Sequence, residues 1–362
     1  MPPEISLLST LLNLDLSRNA ILGGIPSSLG LLANLESLVL ESNRLIGSIP
    51  SELAAITKLG RMSLGRNGLT GSLPAALASL PQLERLSVET NELTGALPSE
   101  FGKLSSLASL AFLNVSGNML NGTLPAELAN LEALTELSIN ENAFSGSIPS
   151  QYGRLSNLTS LSLGSNSLNG TLPVELSNLE ALVELSIDEN AFSGSIPTQY
   201  GRLTNLVTLT VRDNLLNGTL PSELANLDTQ SELSLSANYI TGSVPAQYGR
   251  LSNLTSLSLG SNNLNGTLPS FANSLQRLLL ANNSLSGVVP SEIGKLVSLQ
   301  VLSLEGNLLQ GSLPTDLGRL QDLTALSASR NSLSGVVSSE IGELVSLQVL
   351  SLEGNLLQGS LP

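Results

Sequence analysis

An asparagine returns along this chain at a fixed interval, and that interval constrains the fold more than any other feature. The positions are Asn19, Asn43, Asn67, Asn91, Asn118, Asn142, Asn166, Asn190, Asn214, Asn238, Asn262, Asn283, Asn307, Asn331 and Asn355. The spacing is 24 residues throughout, except 27 before Asn118 and 21 before Asn283. Four residues after each stands a glycine, from Gly23 to Gly359. Seven residues after each stands a proline, from Pro26 to Pro362, with Ser338 the one departure. Length alone would suggest roughly two or three globular domains. Self-similarity at this period instead means an array in which each unit contacts its neighbours, so one repeat domain is expected over residues 1–362.

One unit shows the pattern: Leu155, Leu158, Leu161, Leu163, Asn166, Leu168, Gly170, Leu172 and Pro173. Leu161 and Leu163 alternate with Ser162, which puts both leucines on one face of a short strand. Stacked units bring such strands into a parallel sheet at ~4.8 Å spacing, and each coil buries its leucines against its neighbours. The asparagine amide carries donors and an acceptor for backbone groups that the turn leaves unpaired, so a stack should form an amide ladder. The glycine serves positive φ or close approach between coils. Proline fixes φ on the convex side and removes a donor, which predicts extended structure followed by short helical or 3-10 turns, as in Pro173 to Leu176. Tyr152, Tyr200 and Tyr248 stand at leucine positions, as do Phe144 and Phe192, so these side chains are expected inside.

The pattern Leu-x-x-Leu-x-Leu-x-x-Asn-x-Leu-x-Gly-x-Ile/Leu-Pro resembles the plant-type leucine-rich-repeat family, whose Gly-x-Ile/Leu-Pro portion distinguishes it from other leucine-rich repeats. The resemblance covers the whole chain. It implies an α/β-class leucine-rich-repeat solenoid, a right-handed curved superhelix of fifteen coils with a concave parallel β-sheet. The convex side would consist of 3-10, short helical or extended segments. The family occurs in receptor-kinase ectodomains, in secreted inhibitors of cell-wall-degrading enzymes and in some ice-binding proteins. Its extracellular members usually carry cysteine-containing caps, whereas this chain has no cysteine. Met1-Pro2 falls at the same phase as Leu361-Pro362, so the array is expected to be uncapped at both ends and a segment of a longer protein.

Composition narrows the chemistry. Histidine and cysteine are both absent, so Ser-His-Asp and Cys-His arrangements and Cys/His metal sites cannot be built. Lys58, Lys103 and Lys295 lie in no Gly-x-x-x-x-Gly-Lys-Ser/Thr phosphate loop. Glu136 and Glu184, two coils and roughly 10 Å apart, are a carboxylate pair, but an open, wet face offers no pocket to raise one pKa. The expectation is therefore a non-enzymatic chain without cofactor or metal. A net charge of −14 disfavours nucleic acid and anionic membranes and suits a neutral or basic partner. No apolar run reaches the ~20 residues of a transmembrane helix.

Variable positions of this architecture fall on the concave strand. Four residues before the register asparagine serine dominates, as at Ser138, Ser162, Ser186 and Ser234, with Thr210 in the same column. Acids flank the stripe on alternate units: Glu136 and Glu141, then Glu184, Asp188 and Glu189, then Glu232. With Arg212 these residues form the candidate binding face. The acids read either as a solvated surface that keeps the array soluble or as a docking surface for a basic ligand. Arg61, Arg66, Arg85 and Arg212 are the positive candidates, against the plainer reading of solvated strand ends.

A longer period of 48 residues overlies the unit: residues 284–314 recur as 332–362 with changes only at Pro290/Ser338 and Lys295/Glu343. It reads as recent duplication of coil pairs or as a periodic surface matched to a periodic target. Asn-x-Ser/Thr sequons occur at Asn114, Asn121, Asn157, Asn169, Asn217, Asn253, Asn265 and Asn282, which would place glycans on an exposed edge of a secreted chain. The leading functional reading is a protein- or peptide-recognition module, the ligand-binding region of a cell-surface receptor or secreted protein. One alternative is ice binding through the hydroxyls five residues after the asparagine, namely Ser48, Ser72, Thr123, Ser147, Thr171, Ser195, Thr219, Ser243 and Thr267. Another is a scaffold region of an intracellular kinase or GTPase.

Overall fold

A computed structural model describes residues 2–103 and 109–359, divided into two compact units, 1–191 and 192–362. Met1, Leu361 and Pro362, which share in the repeat phase, lie outside the described residues.

In the first unit eight strands of three residues run parallel: Asn13–Asp15, Ser37–Val39, Arg61–Ser63, Arg85–Ser87, Phe112–Asn114, Glu136–Ser138, Ser160–Ser162 and Glu184–Ser186. Register is held one repeat apart, so Ser160 lies between Glu136 and Glu184. The 27-residue spacing does not disturb it, because Arg85 still pairs with Phe112. In this unit an α-helix, Glu100–Lys103, stands in place of a 3-10 turn. In the second unit seven parallel strands follow: Thr208–Thr210, Glu232–Ser234, Ser256–Ser258, Arg277–Leu279, Val301–Ser303, Ala325–Ser327 and Val349–Ser351. Here the 21-residue spacing is absorbed on the convex side, since no helical turn stands between Asn263–Asn265 and Arg277–Leu279.

The expected 3-10 turns are present, for example Ser150–Arg154 and Val174–Asn178 in the first unit and Thr198–Arg202 and Ala246–Arg250 in the second. The repeat proline immediately precedes the turn in an extended conformation (Pro149, φ −62°, ψ 128°), and its carbonyl accepts from Tyr152 N–H at 3.0 Å. The ring therefore fixes the entry to the turn at a position whose own donor is not needed. Ser338, which replaces proline, holds the same extended geometry at φ −73°.

The ladder is the expected one. Asn166 Nδ2 donates to the carbonyls of Leu163 and Gly164 in its own coil and to Ile139 in the preceding coil, each at 3.1 Å. Its Oδ1 accepts the backbone N–H of Phe144 at 3.0 Å. The same set recurs at Asn142 in the first unit and Asn262 in the second. One feature was not anticipated: the residue before each asparagine has positive φ, and twelve of these are not glycine, including Ser165 at 51° and Glu189 at 53°. Such a conformation costs roughly 1–2 kcal/mol for an L-residue, and the amide's bonds on either side of the turn offset it.

Leu155, Leu158, Leu161, Leu163, Leu168 and Leu176 are fully buried, as are Tyr152, Tyr200, Phe144 and Phe192. Glycine contributes close approach at Gly153, where a Cβ would come within 2.3 Å of the Glu175 carbonyl oxygen of the next coil. One core position breaks the rule. Gln230 occupies a leucine position and is fully buried, and although its amide nitrogen donates to Glu232 O at 3.0 Å, its Oε1 has no partner.

Two opposite stability changes follow. Asn166→Ala strands a buried N–H and three carbonyls and should cost about 2–3 kcal/mol, whereas Gln230→Leu removes an orphan acceptor and should gain about 1–2 kcal/mol. Denaturant midpoints of the two variants check both signs; an unchanged midpoint for the first or a loss for the second would contradict this account.

Candidate functional site

Each concave strand turns its middle residue inward and presents its first and third residues outward. In the first unit these two columns differ in height. The third-position serines sink: Ser63, Ser87 and Ser138 are buried, and Ser162 and Ser186 are half-buried. First-position residues stand higher, with Arg61 and Glu184 exposed and Arg85, Phe112, Glu136 and Ser160 half-buried. Beyond the serines, Arg66, Glu141 and Glu189 are exposed at the turn. A low hydroxyl floor thus runs between two raised columns of larger, mostly charged side chains.

Hydrogen bonds order this surface. Ser63 Oγ donates to Glu41 Oε2 at 2.7 Å, Ser160 Oγ to Glu184 Oε2 at 3.1 Å and Ser165 Oγ to Glu189 Oε2 at 2.8 Å. Glu141 and Glu189 both hold positive φ, 55° and 53°, so two candidate binding acids sit on the fixed turn. Burial pushes the Glu136 carboxyl above the ordinary glutamate range, and the neighbouring Glu184 adds to this while Arg85 opposes it. The fold thereby disfavours the charge on Glu136.

The sequence-derived face is brought together in part. Within the first unit, Glu136 and Glu184 flank Ser160, and Ser138, Ser162 and Ser186 form one row. Within the second, Thr210 pairs with Ser234, Glu232 opposes Thr208, and Arg212 is exposed just beyond its strand. Two features escaped sequence reasoning. Phe112 stands outward on the first-position column, and the Arg85 guanidinium stacks on it with Cζ 3.3 Å from the ring centroid. In the second unit, Glu305, Ser327, Ser329, Arg330 and Glu353 line an open polar hollow of about 380 Å³.

Other candidates separate by exposure. Seven of the eight sequon asparagines are exposed, and the eighth, Asn114, is half-buried. Asn114 Oδ1 accepts from Ser116 N–H at 3.0 Å and from Ser116 Oγ at 2.7 Å. The nine hydroxyls five residues after the asparagines are all exposed, but Ala96 interrupts their line in the first unit and Val288 in the second. Hollows of about 750 Å³, beside Ser48 and Ser72, and 680 Å³, beside Thr219, Ser243 and Thr267, open along it. No helix among the described residues is long and apolar enough to cross a membrane.

A family model described as Leucine Rich Repeat matches residues 10–32, 34–56, 109–131, 157–179, 205–227, 253–273, 274–296 and 298–320. Among solved structures, a TDR receptor superposes with a TM-score of 0.94 at 34% identity, over 100% of this chain and 63% of that one. The Arabidopsis receptor kinase HAESA, in complex with the peptide hormone IDA and the co-receptor SERK1, gives 0.85 at 30% identity, over 100% and 65%. A leucine-rich-repeat protein of Leptospira interrogans gives 0.76 at 30% identity, over 96% and 92%. The chain thus spans less than two thirds of the two receptor structures. No curated protein sequence matches it.

The raised Glu136 pKa carries a testable sign. A carboxyl whose folded pKa lies above its unfolded value binds protons more tightly when folded, so stability falls as pH rises through that interval and the penalty persists at neutral pH. Glu136→Gln should therefore raise the melting midpoint at pH 7, and the gain should vanish below the ordinary glutamate range. A gain that persists or grows in acid would contradict the cause assigned here.

Proposed function

The chain belongs to the plant-type leucine-rich-repeat family, and from that premise we propose that it is a protein- or peptide-recognition module without catalytic activity, the ligand-binding region of a cell-surface receptor or secreted protein. The observation that carries this reading is the concave face of the first unit, a hydroxyl floor between raised charged columns. An extended chain laid across parallel strands meets a regular series of side chains there, and many modest contacts add up to affinity. HAESA, similar in fold over the whole of this chain, is a receptor kinase seen with a peptide hormone. Five acids at outward positions (Glu136, Glu141, Glu184, Asp188 and Glu189) suit basic groups on the ligand.

Exposure of seven sequons supports an extracellular setting. The interruptions at Ala96 and Val288, and the hollows along the hydroxyl line, favour recognition over matching to a flat ice lattice.

The test is selection from a display library of random peptides on the full chain. We expect enriched sequences whose capture weakens about tenfold on Glu184→Lys and falls with added salt. Failure to enrich any peptide, or capture indifferent to Glu184→Lys and to salt, would count against the concave acidic face as the binding surface.

A further inference from the structure

The first unit's outward column has an order that the sequence's acidic stripe does not convey. Strand pairing sets Arg61, Arg85, Phe112, Glu136, Ser160 and Glu184 side by side in that sequence. Counting only the concave strands, the residue before each and the turns that follow them, the coils of Asn67 and Asn91 present Arg61, Arg66 and Arg85 against Glu84 and Glu89, whereas the coils of Asn142, Asn166 and Asn190 present five acids and no basic residue. Phe112 stands at the junction.

We propose that this face is built for an extended peptide with segregated charge, acidic on one side of a central aromatic or aliphatic residue and basic on the other. The inference rests on the peptide-recognition reading above and specifies the ligand's chemistry. Arg85 covers part of the Phe112 ring at 3.3 Å, which fixes both side chains before a ligand arrives. The ring remains half-exposed, so an apolar side chain can pack against it where neither charged end reaches. Four strand spacings of ~4.8 Å separate Arg85 from Glu184, about 19 Å, roughly twice the screening length in physiological salt. The two ends therefore act as separate fields. A peptide with interleaved charges would set like against like at both ends, whereas a segregated one satisfies both. At ~3.4 Å per residue, a core of about seven residues spans Arg61 to Glu184.

The same selection, read for pattern, tests this. On the wild-type chain the enriched peptides should carry acidic and basic residues on opposite sides of an apolar residue. Synthetic peptides of one composition, segregated and interleaved, should differ about tenfold in affinity. Phe112→Ala and Arg85→Glu should each erase that difference, with circular dichroism showing both variants folded. Enriched peptides that are uniformly basic, or a segregated peptide bound equally by Phe112→Ala and Arg85→Glu, would overturn the inference while leaving peptide recognition standing. A glycan found on Asn114 would also overturn it, because it would fill the floor beside Phe112. Enrichment of nothing at all would instead remove the recognition reading beneath it.

Discussion

The amide of the register asparagine is the interaction on which every other part of this structure depends. At the end of each concave strand the chain must turn sharply, and it does so through a left-handed residue that is most often not glycine. The turn leaves carbonyls pointing inward, where water cannot reach them. Asn166 gathers three of these with its two donor hydrogens and returns one acceptor to Phe144 N–H of the preceding coil. Because one amide serves two coils, it fixes their register as well as the turn. Stability is consequently a nearest-neighbour property, passed from coil to coil. The outward residues of each strand are free to vary because the inward ones and the asparagine do not.

Where Tyr152, Tyr200 and Tyr248 recur, the 48-residue period coincides with an alternation in packing on the convex side. Tyr152 and Gly153 stand where the next coil has Leu176 and Ser177. The tyrosine hydroxyl reaches back to donate to Pro125 O at 3.2 Å, and Tyr248 does the same to Pro221 O at 3.0 Å. The bulky ring is accompanied by a glycine that lets the following coil approach. A coil with tyrosine and glycine beside one with leucine and a small residue is thus a packing unit two repeats long. Duplication in pairs preserves that unit, whereas duplication of single coils would place two bulky rings in succession. Burial also raises the Tyr152 and Tyr248 hydroxyls far above the usual phenol range, so both remain hydrogen-bond donors.

Most of the architecture was legible because one residue type performs one task at every turn: leucine fills, asparagine bridges, glycine and proline set the backbone. The left-handed residue was not legible, since Arg18, Thr90, Glu141 and Ala237 share that conformation and no composition marks it. Gln230 could have been found as an exception in a leucine column, but its unpaired oxygen depends on packing around it. On the binding face, the acids Glu136 and Glu184 could be read from the stripe. Phe112 could have been found as an aromatic at an outward strand position, yet it lies in the 27-residue unit where counting from the previous asparagine misplaces it. Its contact with Arg85 required the knowledge that the insertion leaves strand register intact.

The division of labour is simple: inward columns and the ladder hold the coils, which leaves the outward columns of the concave strands as the surface proposed above to meet the ligand. Cross-linking tests it most directly. A captured peptide carrying a photoreactive side chain should attach to outward concave residues of the first unit, such as Arg61, Phe112, Ser160 or Glu184. Attachment instead to the convex turns at Gln151 and Arg154, or to the hydroxyl line at Ser147 and Thr171, would contradict the assignment of function to the concave face.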